Sequence, residues 1–403
     1  MRINGKLAGA FGALSLAIVA GGAQAELKVG ALLPLTGDLQ AYGESSRNGI
    51  NLAASEINDA GGVLGEPVDV RIADTQTEPQ SGVDAAQRLV SVQGVSAIVG
   101  ALSSGVTIPV ASSISATEGV PQISGASTSP VMTHLDDNDF LFRTTPSDAF
   151  QGTALAEVAA DKGMDSVGIL YINNDYGEGL ADAFTESFEA AGGEVVGRSG
   201  YEPGLSSYRG ELNQISDDES PLLLIGYPEN GQTILRQALE GGHFTEFLFT
   251  DGMKSPQIVE NLGARYLNGS AGTVPQARDD TNAAQHFQDA YEASYGELPP
   301  VPYIDTAYDA VYTIALAAVA ADSTDPVDIR DHLRAINDPD GEVVGPGDFA
   351  QAVDLLNAGE AVNYEGASGS VNYDGNGDVA GTFAHWEIQD GEYVTVRIFE
   401  PTM

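Results

Sequence analysis

The sequence predicts an α/β protein of two similar halves, and three observations carry that expectation. Short apolar runs alternate with longer amphipathic stretches along nearly the whole chain, the pattern of parallel strands covered by helices on both faces. A helical stretch that opens on tyrosine-glycine-glutamate and closes on alanine-glycine-glycine occurs twice, about 130 residues apart. At 403 residues the chain is long enough for two or three domains, each with a core.

The first 25 residues read as an export address. Arg2 and Lys6 are the only charges before Glu26, Leu7 to Ala20 is apolar or small, and Ala23-Gln24-Ala25 suits a signal peptidase. Cleavage is expected before Glu26. The apolar stretch is short for a membrane span, and no cysteine follows it to accept a lipid. A soluble protein in a periplasm is the expected product. Val311 to Ala321 is also apolar and also short for a span.

The mature chain then reads as strand and helix in turn. Strand-like runs occupy Leu27–Leu33, Val68–Ala73, Ala97–Gly100, Val167–Ile172, Glu194–Tyr201, Leu222–Ile225 and Phe247–Phe249. Helical stretches fall between them at Gly43–Asp59, Ser81–Val92, Phe150–Lys162 and Glu178–Ala190. The repeated opening is Tyr42-Gly43-Glu44 and Tyr176-Gly177-Glu178; the repeated close is Ala60-Gly61-Gly62 and Ala191-Gly192-Gly193. Glycine there suits the left-handed residue that stops a helix. The repeat fits two doubly wound lobes built alike, with chance likeness of two βα units as the alternative. Near the end, Asp374-Gly375-Asn376-Gly377-Asp378 resembles the start of a calcium loop, but Val379 and His385 stand where glycine and a bidentate glutamate are needed. A hairpin turn is the expectation there.

Composition excludes several functions. The chain has no cysteine, so it can form no disulfide, thiolate metal site or cysteine nucleophile. The 58 Asp and Glu against 17 Lys and Arg give a net charge of −41, which repels nucleic-acid backbones and suits a strongly solvated surface. No phosphate-binding glycine fingerprint, zinc motif or nucleophile elbow is present. No cofactor and no metal are expected.

Two loops carry candidate chemistry. Gly100 to Thr107, with Ser103 and Ser104, runs from a strand into a helix, and Ile123 to Pro130, with Ala126, Ser127 and Thr128, follows the next strand. Hydroxyls and backbone N–H groups at adjacent strand ends make a neutral cup for a carboxylate, where open α/β sheets bind ligands. A plain helix cap by Ser103 or Ser104 is the simpler reading of the first loop alone. A serine hydrolase would need one of His134, His243, His286, His332 or His385 as base, and none lies in a recognised motif.

These segments are similar to the periplasmic solute-binding proteins of branched-chain amino-acid type that feed ABC importers. The resemblance spans the mature chain and rests on Leu27–Gly37 with Tyr42-Gly43, Ile57–Gly65, Ile123–Pro130, Asn174–Gly179 and Tyr227–Gly231. It implies two Rossmann-like doubly wound lobes joined by three hinge crossings, near Thr145–Ala149, Val274–Ala277 and Ala380–Phe383. The lobes would be residues 26–147 with 275–381, and 148–274 with 382–403. It further implies that Ser104 and Thr128 donate to an amino acid's carboxylate, that the Ala126 carbonyl and Asp251 take its ammonium, and that Tyr42, Tyr176, Tyr227 and Tyr303 shape the cleft. Asp251 could instead cap a helix beginning near Ser255, and Tyr42 and Tyr176 could be packing residues.

The chain departs from the better-known relatives at three points. Asp251 stands where they have glutamate, Ser103 stands where they have a disulfide cysteine, and the Tyr227 loop is a residue shorter. Lys254 is close enough in sequence to neutralise Asp251 or to meet a second carboxylate. The expected partners are a small-molecule ligand and permease subunits in the inner membrane, with the protein itself monomeric and outside the bilayer. Capture for import is the first functional expectation. Ligand sensing for a signalling partner, or transport of an amide, urea or aromatic carboxylate, are the alternatives.

Overall fold

The computed structural model describes residues 26–217 and 219–402, so the expected signal peptide lies outside the described residues. Strands β1 (Lys28–Leu33), β2 (Asp69–Asp74), β3 (Ala97–Gly100), β4 (Gln122–Ser124) and β5 (Leu141–Arg143) form one parallel sheet in the order β2-β1-β3-β4-β5. Strands β6 (Ser166–Ile172), β7 (Glu194–Tyr201), β8 (Leu222–Ile225), β9 (Phe247–Phe249) and β10 (Ala271–Pro275) form a second in the order β7-β6-β8-β9-β10. The order is the same with every index raised by five. The tyrosine-glycine echo therefore reflects two copies of one topology.

The sheets differ at their edges. A three-stranded ladder of β11 (Glu342–Val344), β12 (Val362–Gly366) and β13 (Gly369–Ser370) stands apart from both. The second sheet continues antiparallel through β14 (Phe383–Gln389) and β15 (Glu392–Phe399). Central strands are apolar along their length because helices cover both faces, and β3 and β8 are buried at every residue. The edge strand β2, with Arg71 and Ile72 exposed, shows how a strand with a free edge tolerates charge.

Each sheet starts its first helix with the same device. A Cβ on Gly43 would lie 2.1 Å from the Pro34 carbonyl oxygen, and one on Gly177 would lie 2.1 Å from the Ile172 carbonyl oxygen. Only glycine lets the helices Gln40–Asp59 and Asp175–Ala190 come so close to the ends of β1 and β6. In the second of these Asn174 caps the helix, its Oδ1 accepting from the Gly177 N–H at 2.9 Å.

The chain passes between the sheets three times: through 144–147 after β5, after β10, and through 371–382 before β14. Arg143, fully buried, ties the first passage to the third through Asp378, with Nε to Oδ1 at 2.7 Å and an NH2 contact to Oδ2 at 2.8 Å. The segment expected to be a hairpin turn is a turn but joins no strand ladder on either side. Asp374 accepts from the N–H groups of Asn376 and Asp378, so one acid closes the turn while Asp378 holds Arg143.

Helix Ile304–Ala321 is longer than the apolar run suggests. Its 18 residues would by length and composition suffice to cross a membrane, yet 83% of them are buried inside the protein. Its Tyr308 and Tyr312 hydroxyls both donate to Glu56 on helix Gln40–Asp59, and its Asp309 accepts from Tyr364, Ala367 and Ser368. It is a core helix of the unit built on the first sheet.

Candidate functional site

The carboxyl ends of the parallel strands face one another across the two sheets. The loops after β1, β3 and β4 come from one side, and those after β6, β8 and β9 from the other. Between them lies a small cavity lined by Leu39, Tyr42, Leu102, Ser104, Ala126, Tyr176, Tyr227, Asp251, Gly252 and Tyr303.

Asp251 is the chemical centre of this cavity. It begins a short 3-10 turn after β9 and is 3% exposed. Its Oδ2 accepts from the Tyr303 hydroxyl at 2.6 Å, and its Oδ1 from the Tyr176 hydroxyl at 2.8 Å and Gln151 Nε2 at 2.9 Å. Burial raises its pKa, and the donated hydrogen bonds pull it back. These three donors are neutral, so the carboxylate has hydrogen bonds but no counter-charge. Burial also raises the phenols of Tyr176 and Tyr303 well above their ordinary value, so both stay protonated donors.

Tyrosine rings wall the cavity. Tyr176 and Tyr227 stack with centroids 5.6 Å apart and 10° between planes. Tyr227 shares a hydrogen bond with Ser103 at 3.1 Å, and Tyr42 donates to the Gly252 carbonyl at 3.0 Å. Together with the Ser129 hydroxyl, which donates to the Asp175 carbonyl at 2.8 Å, these bonds join the two units directly across the cleft.

The serine- and threonine-rich loops are themselves heavily braced. Ser127 Oγ bonds to Thr107 Oγ1 at 2.7 Å and to the Ala101 and Leu102 carbonyls. Thr128 donates to Asp148 Oδ2 at 2.8 Å, and the Asp148 N–H returns a bond to the Thr128 carbonyl at 2.7 Å. Arg143 NH1 donates to the carbonyls of Thr128 and Ser129 from behind, each at 3.0 Å. Ser104 Oγ accepts from the Ser129 N–H at 3.3 Å and borders the cavity.

A match to the family model described as periplasmic binding protein covers residues 26–363. The chain belongs to the periplasmic binding protein family. A Leu/Ile/Val-binding protein homolog 1 from Brucella suis is 29% identical over 90% of this chain and 97% of its own length. The chemotactic signal transduction system substrate-binding protein BasB of Halobacterium salinarum is 28% identical over 85% of this chain and 82% of its own. Among solved structures, the branched-chain amino acid transporter substrate-binding protein LivJ from Streptococcus pneumoniae, in complex with isoleucine, superposes with a TM-score of 0.78. That match has 26% identity and covers 94% of this chain and 100% of that one. The fold of this periplasmic binding protein is thus the type I arrangement of two α/β units, in a family of substrate-binding proteins rather than enzymes.

Seven of the residues singled out from sequence meet at one cavity of this periplasmic binding protein: Tyr42, Ser104, Ala126, Tyr176, Tyr227, Asp251 and Tyr303. Ser103, Ser127 and Thr128 do not line it. Ser103 reaches it only through Tyr227, Ser127 turns its hydroxyl into the loop scaffold, and Thr128 turns to Asp148. Asp251 does not cap helix Pro256–Leu262, whose N-cap is Ser255. Lys254 forms no ion pair with Asp251 among the described residues and lines a different cleft.

Sequence reading missed Asp148, Gln151 and Arg143. Asp148, fully buried, has its pKa raised well above the usual carboxylate range by burial and then by the charge of Asp251, and its Oδ1 has no partner. An acid at the start of a helix ordinarily reads as an exposed partner of the helix dipole, so nothing local marks this one as buried.

Proposed function

We propose that this protein captures a small aliphatic L-amino acid in the periplasm and presents it to a membrane permease. The single observation behind the choice is Asp251, a buried carboxylate with neutral donors only, set in a tyrosine-walled cavity. An ammonium supplies the missing counter-charge. Ser104 and the backbone of the 126–129 loop stand on the opposite unit to receive the carboxylate, and the tyrosine rings with Leu39 and Leu102 favour an apolar side chain. The isoleucine held by the Streptococcus relative and the name of the Brucella relative support the same class.

On this reading the two units are lobes, residues 26–147 with 275–381 and 148–274 with 382–403, and the three passages are hinges. Because Ser104 and Asp251 lie on different lobes, full binding requires closure, and preference for the closed form moves the population. Titration calorimetry tests the reading with L-leucine, L-isoleucine and L-valine against 4-methylpentanoate, the deaminated analogue of leucine. The expected result is binding of at least one amino acid and at least 100-fold weaker binding of the analogue; equal binding of acid and amino acid would overturn it. Small-angle scattering should show a smaller radius of gyration with the bound amino acid than without it.

A second reading keeps the ligand and changes the partner. The Halobacterium relative, named as part of a chemotactic system, supports a signalling receptor in place of a permease. Co-purification from membranes with and without the amino acid separates the two.

A further inference from the structure

A larger cleft adjoins the tyrosine cavity, and Tyr303 borders both. It sits where the chain leaves β10, at Val274 to Ala277. Its walls come from both units. Val274 and Pro275 belong to the second sheet, while Ile304 lies on a helix that packs against the first and Phe287 on one that packs against helix Gln40–Asp59. Much of the surface is apolar, with Val301 and Pro302 beside Phe287.

Three charged residues line this space, Lys254, Asp279 and Asp305, and Lys254 and Asp305 face it without meeting. Lys254 makes no ion pair or side-chain hydrogen bond among the described residues, and burial pushes its ammonium down to about 8. Asp305 accepts from the Thr306 N–H at 2.9 Å and has no cationic partner within ion-pair distance among the described residues; burial raises its carboxyl. Each feels the other's field, yet they remain apart. Poorly solvated charges of this kind are costly until an opposite charge is brought to them. A lone anion would satisfy Lys254 and be repelled by Asp305, and a lone cation would do the reverse. A molecule carrying both charges answers the two together.

We propose that this cleft is a second binding site, for an apolar α-amino acid whose carboxylate meets Lys254 and whose ammonium meets Asp305, with its side chain against Phe287, Val301 and Pro302. The inference goes beyond the reading of the tyrosine cavity, because the charged residues of the two sites are different. An occupant would touch both units beside the second passage and so favour their joined arrangement.

Calorimetric titration of the mature protein with each of the twenty common amino acids tests this, in the wild type and in Lys254→Met, Asp305→Asn and Asp251→Asn. Ala284→Phe, which narrows the cleft without removing a charge, serves as an independent block should a charge variant fail to fold. The expected result is two sites per chain for at least one apolar amino acid. Lys254→Met, Asp305→Asn and Ala284→Phe should each weaken one of them at least tenfold, and Asp251→Asn should weaken the other. A single site that survives in Lys254→Met and Ala284→Phe would overturn the proposal, as would the absence of any binding that these variants reduce. A single site lost in Lys254→Met and kept in Asp251→Asn would support the cleft and count against the tyrosine cavity.

Discussion

The two sheets share one strand order but end in opposite chemistry. The strand ends of the first sheet carry Ser103, Ser104, Ser127 and Thr128, whose hydroxyls are bonded to Tyr227, the Ser129 N–H, Thr107 and Asp148, with Arg143 bracing the carbonyls behind. Those of the second carry Asp251 with Tyr176 and Tyr227, a buried carboxylate held by neutral donors. Topology places both sets at the same kind of site, the carboxyl ends of parallel strands. Side chains then decide that one face offers donors to an anion and the other offers charge to a cation. A duplicated scaffold has become polar across its cleft, which is what the proposed zwitterionic ligand requires.

The strongest way to break this comparison is to remove the charge from the second face. Asp251→Asn should cost the amino acid about 2–5 kcal/mol of binding, the loss expected when a buried ion is left without its partner. A deaminated analogue should change little, and calorimetry on both ligands checks the difference.

The shared scaffold can be tested separately from the chemistry. Gly43→Ala and Gly177→Ala put a methyl at the same distance from an equivalent carbonyl. Each should lower stability by about 3 kcal/mol through overpacking, and urea unfolding should return matching losses. Unequal losses would mean that the two helix starts are alike in sequence but not in constraint.

On the first face, Ser104 and Thr128 should part company. Ser104→Ala should weaken binding by about 1–2 kcal/mol with little effect on stability. Thr128→Val removes the donor to buried Asp148 and should lower stability by a similar amount. Thermal melts alongside titrations distinguish the two, and binding loss without stability loss in Thr128→Val would return Thr128 to the ligand.

The smallest effects are those of pH. Burial raises the carboxyl of Asp148 in the folded protein, so ionising it costs stability as pH rises through that raised value. Asp148→Asn removes this cost and should raise stability by about 1 kcal/mol near neutral pH. The gain should vanish in acid, where the wild-type carboxyl is protonated in folded and unfolded chains alike. Asp251 is also raised and must ionise to hold an ammonium, so amino-acid affinity should fall as pH drops through its raised value.

Some of this was legible in the chain itself. The alternation of apolar and amphipathic runs placed seven of the fifteen described strands, β1 to β3 and β6 to β9, within a residue or two, and the central ones stood out because a strand buried on both faces has to be apolar throughout. The Tyr42-Gly43 and Tyr176-Gly177 echo marked the two copies, because a close approach to a carbonyl admits only glycine. Seven residues of the cavity follow from the family resemblance, four of them (Tyr42, Ala126, Tyr176 and Tyr227) inside the motifs that carry it. Tertiary structure alone decided the rest. Whether a hydroxyl faces the cavity or its own loop depends on partners such as Asp148 and Arg143, which are distant in sequence from the groups they restrain. Helix Ile304–Ala321 looks the same to a hydropathy scan in a core or a bilayer, and only its packing distinguishes them. The charge of Lys254 and Asp305 was plain from composition. That they face one cleft without meeting follows from where the second passage brings the two units together, and no local pattern of residues encodes that.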